Sequence, residues 1–152
     1  KYLTYLQLGR DIDEVKNIWL DIVDKKLALS WYYQHHADVL FKLNKKDLAK
    51  KILLEGLENY PDDPYLLNYF AYILYDEYKE KKDIQMLKTA KEAILKCMNK
   101  TDDIIPEFID TYFSIIEITD DSAFLLKEIE KYYIYFPNSA VLIKWIKKLN
   151  IK

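Results

Sequence analysis

Cysteine, glycine and histidine are all scarce in this chain, and each scarcity closes off a class of protein. The single cysteine, Cys97, permits no disulfide within the chain, and a small buried apolar side chain is its expected role. Two glycines are too few for the Gly and Asn-Gly turns of a hairpin-rich β fold, so helix is expected throughout. The two histidines, His35 and His36, are adjacent. On a helix they point about 100° apart and cannot share one metal as an i, i+4 pair does, so packing or solvation is expected of them. Charge of one sign is not in excess either: 23 basic against 25 acidic side chains leave −2, with no basic surplus to favour nucleic acid. No apolar run approaches the roughly 18 to 20 residues of a membrane span, and no signal-peptide pattern is present. Gly-rich phosphate loops, Gly-x-Ser-x-Gly elbows and His-Glu-x-x-His motifs are missing as well. The carboxylate pairs Asp62-Asp63, Asp102-Asp103 and Asp120-Asp121 fall at expected helix starts, where they would cap free amides and meet the helix dipole. A non-enzyme is therefore expected, with no catalytic residue, metal ligand or cofactor.

What the chain does contain is apolar periodicity. With 152 residues, 51% of them hydrophobic, it can bury one substantial core. It begins at Lys1, already apolar-periodic through Tyr2, Leu3 and Leu6, so a fragment of a longer protein is expected. The cytoplasm is the expected compartment. Val39, Leu40, Leu43 and then Leu48, Ile52, Leu53, Leu57 follow the spacing of two amphipathic helices broken at Asn44-Lys45-Lys46. A second pair runs through Leu66, Phe70, Ile73, Leu74 and then Leu87, Ala90, Ile94, Cys97. A third runs through Phe108, Tyr112, Ile116 and then Leu125, Ile129, Tyr132. Between the first two pairs Pro61 follows a helix end, Asp63 is placed to cap the next helix and Pro64 to take its first position, where a missing N–H costs nothing. Pro137 and Ser139 repeat the device before a last helix, and Pro106 also sits near a helix start.

Helix pairs at a fixed spacing imply stacked repeats. Numbered so that proline is position 32 of a 34-residue unit, with Ser30 and Pro64 as first residues, the chain resembles the tetratricopeptide repeat family. That family places bulky residues at positions 4, 7, 11 and 24 and small ones at 8, 20 and 27. The unit from Ser30 matches with Tyr33, Ala37, Leu40, Ala49, Leu53, Gly56 and Pro61, while His36 stands where Leu is usual. The unit from Pro64 matches with Leu67, Phe70, Ala71, Leu74, Ala90, Ile94 and Cys97 after about seven extra residues around Lys79 to Asp83. The unit from Pro106 offers Ile109, Tyr112, Ile116, Leu125, Ile129 and Pro137, but Phe113 replaces a small residue and implies a wider or tilted third pair. Val15, Trp19 and Ile22 fit the tail of a preceding unit. The resemblance implies an all-α, right-handed superhelix of antiparallel helix pairs, a TPR-like α-solenoid. Its expected divisions are a partial repeat at 1–29, repeats at 30–63, 64–105 and 106–139, and a capping helix at 140–152. That last helix carries Val141, Leu142, Trp145, Ile146 and Leu149 on one side, with Lys144, Lys147 and Lys148 expected on a solvated face. Glu77, Glu80 and the insertion are expected to form a solvated extension.

In that family the first helix of each pair lines a concave groove. Carried over by position, the resemblance places Trp31, Gln34, Asp38, Phe41 and Lys42 there, then Tyr65, Asn68, Tyr72, Tyr75 and Asp76, then Glu107, Asp110, Ser114, Glu117 and Ile118. This set is aromatic in the middle and acidic toward its C-terminal end. Tyrosine and tryptophan give large contact area with few rotors, and Asn68 could hydrogen-bond a peptide backbone. Some members clamp the C-terminal carboxylate of chaperones with basic residues and asparagines; here those positions hold Gln34, Asp38, Tyr69, Glu107 and Thr111, which would repel an acidic tail. The implied function is a non-catalytic protein-interaction scaffold or adaptor for a basic or aromatic-rich peptide or helix, within a multiprotein complex and without direct nucleic-acid contact. The related half-a-TPR repeats of RNA-processing scaffolds imply the alternative, a structural subunit of a large assembly. Replacing Tyr72 and Asp110 together, by Ala and Lys, is expected to weaken groove binding.

Overall fold

The computed structural model describes residues 17–21 and 29–149 of the chain, and its regular elements among them are all helices. A short helical stretch at 17–21 precedes α1 (Ser30–Lys42), α2 (Lys46–Asn59), α3 (Pro64–Lys81), α4 (Ile84–Lys100), α5 (Pro106–Thr119), α6 (Ser122–Tyr135) and α7 (Ala140–Lys148). The all-α expectation is met. Val15, Ile22 and most of the partial repeat expected at 1–29 lie outside the described residues, as do 150–152.

Local chemistry sets most boundaries. Asn44 takes a left-handed conformation (φ 59°), which asparagine tolerates better than most residues, and this turns the chain between α1 and α2. Asp63 accepts a hydrogen bond from the Leu66 amide at 3.0 Å, with Pro64 at the first helical position. Left-handed Lys82 (φ 55°) ends α3, and Asp83 accepts from the Gln85 amide at 2.8 Å to restart the chain as α4. The extra residues around 79–83 are thus the last turn of an 18-residue helix and a two-residue link. Asp121 caps α6 through the Phe124 amide at 2.7 Å.

Two expected caps do not form. Ser139 occupies the N-cap position of α7, but its Oγ is buried and has no hydrogen-bond partner. Asp102 and Asp103 lie in the loop before α5, whose N-cap is Ile105, so their carboxylates are three and two residues too early to reach its amides. Within that loop the Thr101 hydroxyl accepts from the Asp103 amide at 3.1 Å.

Each odd-numbered helix packs on the next odd one, α1 on α3, α3 on α5 and α5 on α7, and each even helix packs against the two odd helices that flank it in sequence. Ala37, Ala49, Ala71 and Ala90 are all fully buried. Helix axes separate according to the side chains at their contact, so these small residues allow the closest approaches. The α5–α6 pair, where Phe113 and Leu125 fill the equivalent places, is the least intimate of the hairpin pairs. α3 serves two cores at once: Leu66 and Ile73 join Tyr33, Ala37 and Leu53, whereas Leu67, Ala71 and Leu74 join the larger cluster that runs to Trp145. Trp19 packs edge-on to Tyr33 at 5.2 Å and against His36 at 4.6 Å, closing the first core. Glu77 corrects an expectation, being buried (2% exposed) rather than solvated, and it accepts a hydrogen bond from Lys50 at 2.7 Å.

Two consequences are measurable. A Cβ on Gly56 would lie 2.8 Å from Tyr33 Cβ and 3.1 Å from Leu66 Cδ1. Alanine gains about 1 kcal/mol of helix propensity over glycine, but overpacking at an α1–α2–α3 junction costs about 1–3 kcal/mol, so Gly56→Ala is expected to be net destabilising in urea unfolding. Burial lowers the His36 pKa from 6.5 to about 3, so the fold holds the ring neutral. The unfolded chain takes up that proton once the pH drops below 6.5, so this stabilisation is complete above 6.5 and declines as the pH falls toward 3. Between pH 7 and pH 5 the loss is about 2 kcal/mol. His36→Gln should flatten that part of the stability profile, and an unchanged slope would contradict the assignment.

Candidate functional site

The expected groove residues all lie on α1, α3 and α5, and none of them is fully buried. Trp31, Tyr65, Tyr72 and Ile118 are the most exposed large apolar groups of the set. Phe41 of α1 meets Tyr72 and Tyr69 of α3 at 5.8 and 6.3 Å, and the two tyrosines lie parallel at 6.2 Å. Tyr65 packs edge-on to Phe108 of α5 at 5.3 Å, and Trp31 stacks on Tyr32 at 4.0 Å. Phe41 and Tyr65 therefore help to join neighbouring odd helices while presenting their outer faces. Gln34 and Ser114 are half-buried beside them, Glu107 and Lys42 are exposed, and Lys79 caps the Tyr75 ring at 5.2 Å.

Asn68 departs from expectation. Its Oδ1 is buried and has no hydrogen-bond partner, so the amide must rotate before it could serve a peptide backbone.

The carboxylates depart further, because most of them are already paired. Asp38 accepts from Lys42 at 2.6 Å and from the Tyr69 hydroxyl at 3.1 Å. Asp76 lies between Lys46 at 2.9 Å and Lys79 at 3.0 Å, whose cations outweigh its burial and hold its pKa below the usual value. Asp110 accepts from Lys144 at 2.9 Å and from Trp145 Nε1 at 2.7 Å, and Lys148 reaches Glu117 at 2.6 Å. Glu107 is the one carboxylate of the set with no cation against it among the described residues. The acidic C-terminal end read from the sequence is thus largely neutralised by α7. Lys144 and Lys148 also lie over the Trp145 ring at 5.9 and 4.5 Å, so the lysine side of α7 is not simply a solvated face. Burial, reinforced by the Asp38 charge, keeps the Tyr69 phenol protonated well above its usual range, so it remains a donor to Asp38.

Sequence reasoning missed Tyr69, Lys144, Trp145 and Lys148 as partners of the groove acids. A signal was present in the separations: Asp110 to Lys144 and Lys46 to Glu80 both span 34 residues, and Asp38 to Tyr69 spans 31. Odd helices that pack on one another thus bring together side chains 31 to 34 residues apart.

Elsewhere, Cys97 is buried and donates to the Pro64 carbonyl at 3.2 Å, and burial pushes its thiol pKa up to about 12. Among the described residues, no group of three His, Cys, Asp or Glu side chains is arranged to hold a metal ion, and no helix is long and apolar enough to cross a membrane. Two surface clefts lie off the groove. One, of about 530 Å³, separates the α1–α2 turn from the end of α3 and is laced by the Lys46–Glu80 pair at 2.8 Å. The other, of about 560 Å³, lies between the ends of α4 and α6 and is floored in part by Tyr112 of α5. Compared with protein-family models, curated proteins and solved structures, the chain matches none.

Asp110 is thus a structural tie as well as a groove residue, so the joint Tyr72 and Asp110 replacement would confound binding with docking of α7. Asp110→Ala leaves the buried Trp145 N–H without its acceptor, at a cost of about 1–3 kcal/mol. Faster amide hydrogen exchange in α7 than in α3 is the expected signature; unaltered protection of α7 would contradict the tie.

Proposed function

We propose that this chain is a tetratricopeptide-like segment, a right-handed superhelix of helix pairs, and that it works as a non-catalytic protein-binding scaffold through the face formed by α1, α3 and α5. One observation carries the reading. Odd helices pack successively on one another, and Trp31, Tyr65 and Tyr72, which they carry, are each 38–47% exposed. Aromatic side chains of this kind supply contact area at little entropic cost, and a surface already ordered by the fold loses little freedom on binding. Helix starts at Ser30, Pro64, Pro106 and Ala140 support the repeat reading, two of the three intervals being 34 residues and the other being lengthened by the longer helices α3 and α4.

The paired carboxylates refine the ligand. With Asp38, Asp76, Asp110 and Glu117 already engaged, the groove offers a cationic peptide little net charge, so an extended or helical segment rich in aromatic and aliphatic residues fits it better than a purely basic one. A second reading, a half-a-TPR-type structural subunit, is favoured by the outer face of α6, where Leu126, Tyr133 and Ile134 are exposed, Ile134 by 77%.

Peptides selected from a random display library on the immobilised chain would test the groove. Enriched sequences should contain aromatic or aliphatic anchors and should lose about tenfold or more in affinity for a Trp31→Ala, Tyr72→Ala double variant, measured by calorimetry. Equal affinity for the variant, or enrichment of nothing, would remove the groove reading and leave the structural-subunit one.

A further inference from the structure

We infer that the cleft between the C-terminal ends of α4 and α6 is a docking site for an arginine side chain on a basic segment of a protein partner. The site lies off the groove and does not depend on the groove reading.

Three carboxylates, Asp102, Asp103 and Glu128, line the cleft, against a single cation, Lys131. Asp102 and Asp103 are the pair that fails to cap α5, and neither carboxylate has a hydrogen bond or ion pair among the described residues, so both are open to a ligand. The cations nearest in sequence are turned away, since Lys96 and Lys100 at the end of α4 pair with Asp62 at 3.2 and 3.3 Å. Two helix ends converge on the same space: Met98 and Asn99 in the last turn of α4, and Tyr132 and Tyr135 in the last turn of α6. Each such end carries the negative pole of a helix dipole, which favours a cation.

The walls fit the shape of a guanidinium. Tyr135 is 72% exposed and, among the described residues, has no ring or cation against it. Tyr132 already holds a cation, Lys131, whose Nζ is 5.0 Å from its ring and 3.5 Å from Glu128. Lys131 thus occupies one arm of the site as a stand-in for the ligand. Glu128 is fixed from below by the Tyr112 hydroxyl, which donates to it at 3.2 Å; burial and the Glu128 charge keep that phenol protonated. The carboxylates are not gathered as a metal ion would require, whereas a planar cation can stack on a tyrosine while its edge pairs with a carboxylate a few ångströms away. The cleft has a volume of about 560 Å³, ample for an arginine side chain.

The test uses the whole chain, isotopically labelled, titrated with a capped Gly-Arg-Gly peptide and followed by amide chemical shifts. Shifts centred on Asn99, Asp102, Ile104 and Phe136 are expected, with the same peptide carrying citrulline, the uncharged isostere, giving none. Asp102→Asn with Asp103→Asn removes two unpaired charges without touching any fold contact and should weaken binding about fivefold or more. Lys131→Ala, which removes the internal competitor, should strengthen it by about twofold to fivefold. Citrulline or spermidine binding as well as arginine, shifts confined to Trp31, Tyr65 and Tyr72, or an affinity unchanged in the Asp102/Asp103 variant would each overturn the proposal.

Discussion

The closest approach of helix on helix is the constraint on which the rest of this structure depends. Ala37, Ala49, Ala71 and Ala90 are all fully buried, and Gly56 sits where even a methyl group would collide with Tyr33. Where α1 to α4 cross through these residues they lie near enough for Leu53, Leu66, Ile73 and Ile94 to exclude water completely. Each odd helix then packs on the next odd helix and on the even helices beside it in sequence. Trp31 of α1 and Tyr65 and Tyr72 of α3 remain exposed. Where the small residues stop, at Phe113 and Leu125, α5 and α6 pack less closely.

Charge plays a different part from the one its distribution along the chain implies. Surface ion pairs contribute about 0–1 kcal/mol each, so Lys148 with Glu117 or Lys46 with Asp76 adds little to stability. Their effect is positional. They join helices distant in sequence and help to select a register that apolar contacts alone would specify less sharply. The Asp110 tie is stronger, because Trp145 is buried and its N–H needs that acceptor. Acidic residues that a sequence presents as an invitation to a basic ligand are mostly committed already, whereas Asp102 and Asp103, readable as helix caps, are left free.

The helices, their order and most of their boundaries were legible because they rest on local chemistry. Apolar spacing, the Asp63-Pro64 start and the break at Asn44 each depend on residues within one or two turns. For the candidate groove, the sequence placed its residues on α1, α3 and α5 and away from the fully buried core, since spacing sets which residues a helix buries. What was not legible depends on distance across the stack. Glu77 looks solvated in a run of charge until Lys50 of the preceding helix is placed beside it. Lys144 and Lys148 look like an outer polar face until α7 is docked on α5. Ser139 and the Asp102-Asp103 pair show the limit of the capping rule, since a residue of the right type near a helix start caps only if its side chain reaches an open amide.

We propose that the surface of the odd helices, rather than that of the even ones, meets the partner. Photo-crosslinking measures this directly, with benzoylphenylalanine placed at Tyr72 on α3 in one protein and at exposed Leu54 on α2 in another, each in lysate of the source cells. A discrete crosslinked protein from the Tyr72 position, mapped by mass spectrometry to one segment and lost when Trp31 is also replaced by alanine, is the expected result. Crosslinks to a specific partner from Leu54 alone would contradict the account and place the working surface on the opposite side of the stack.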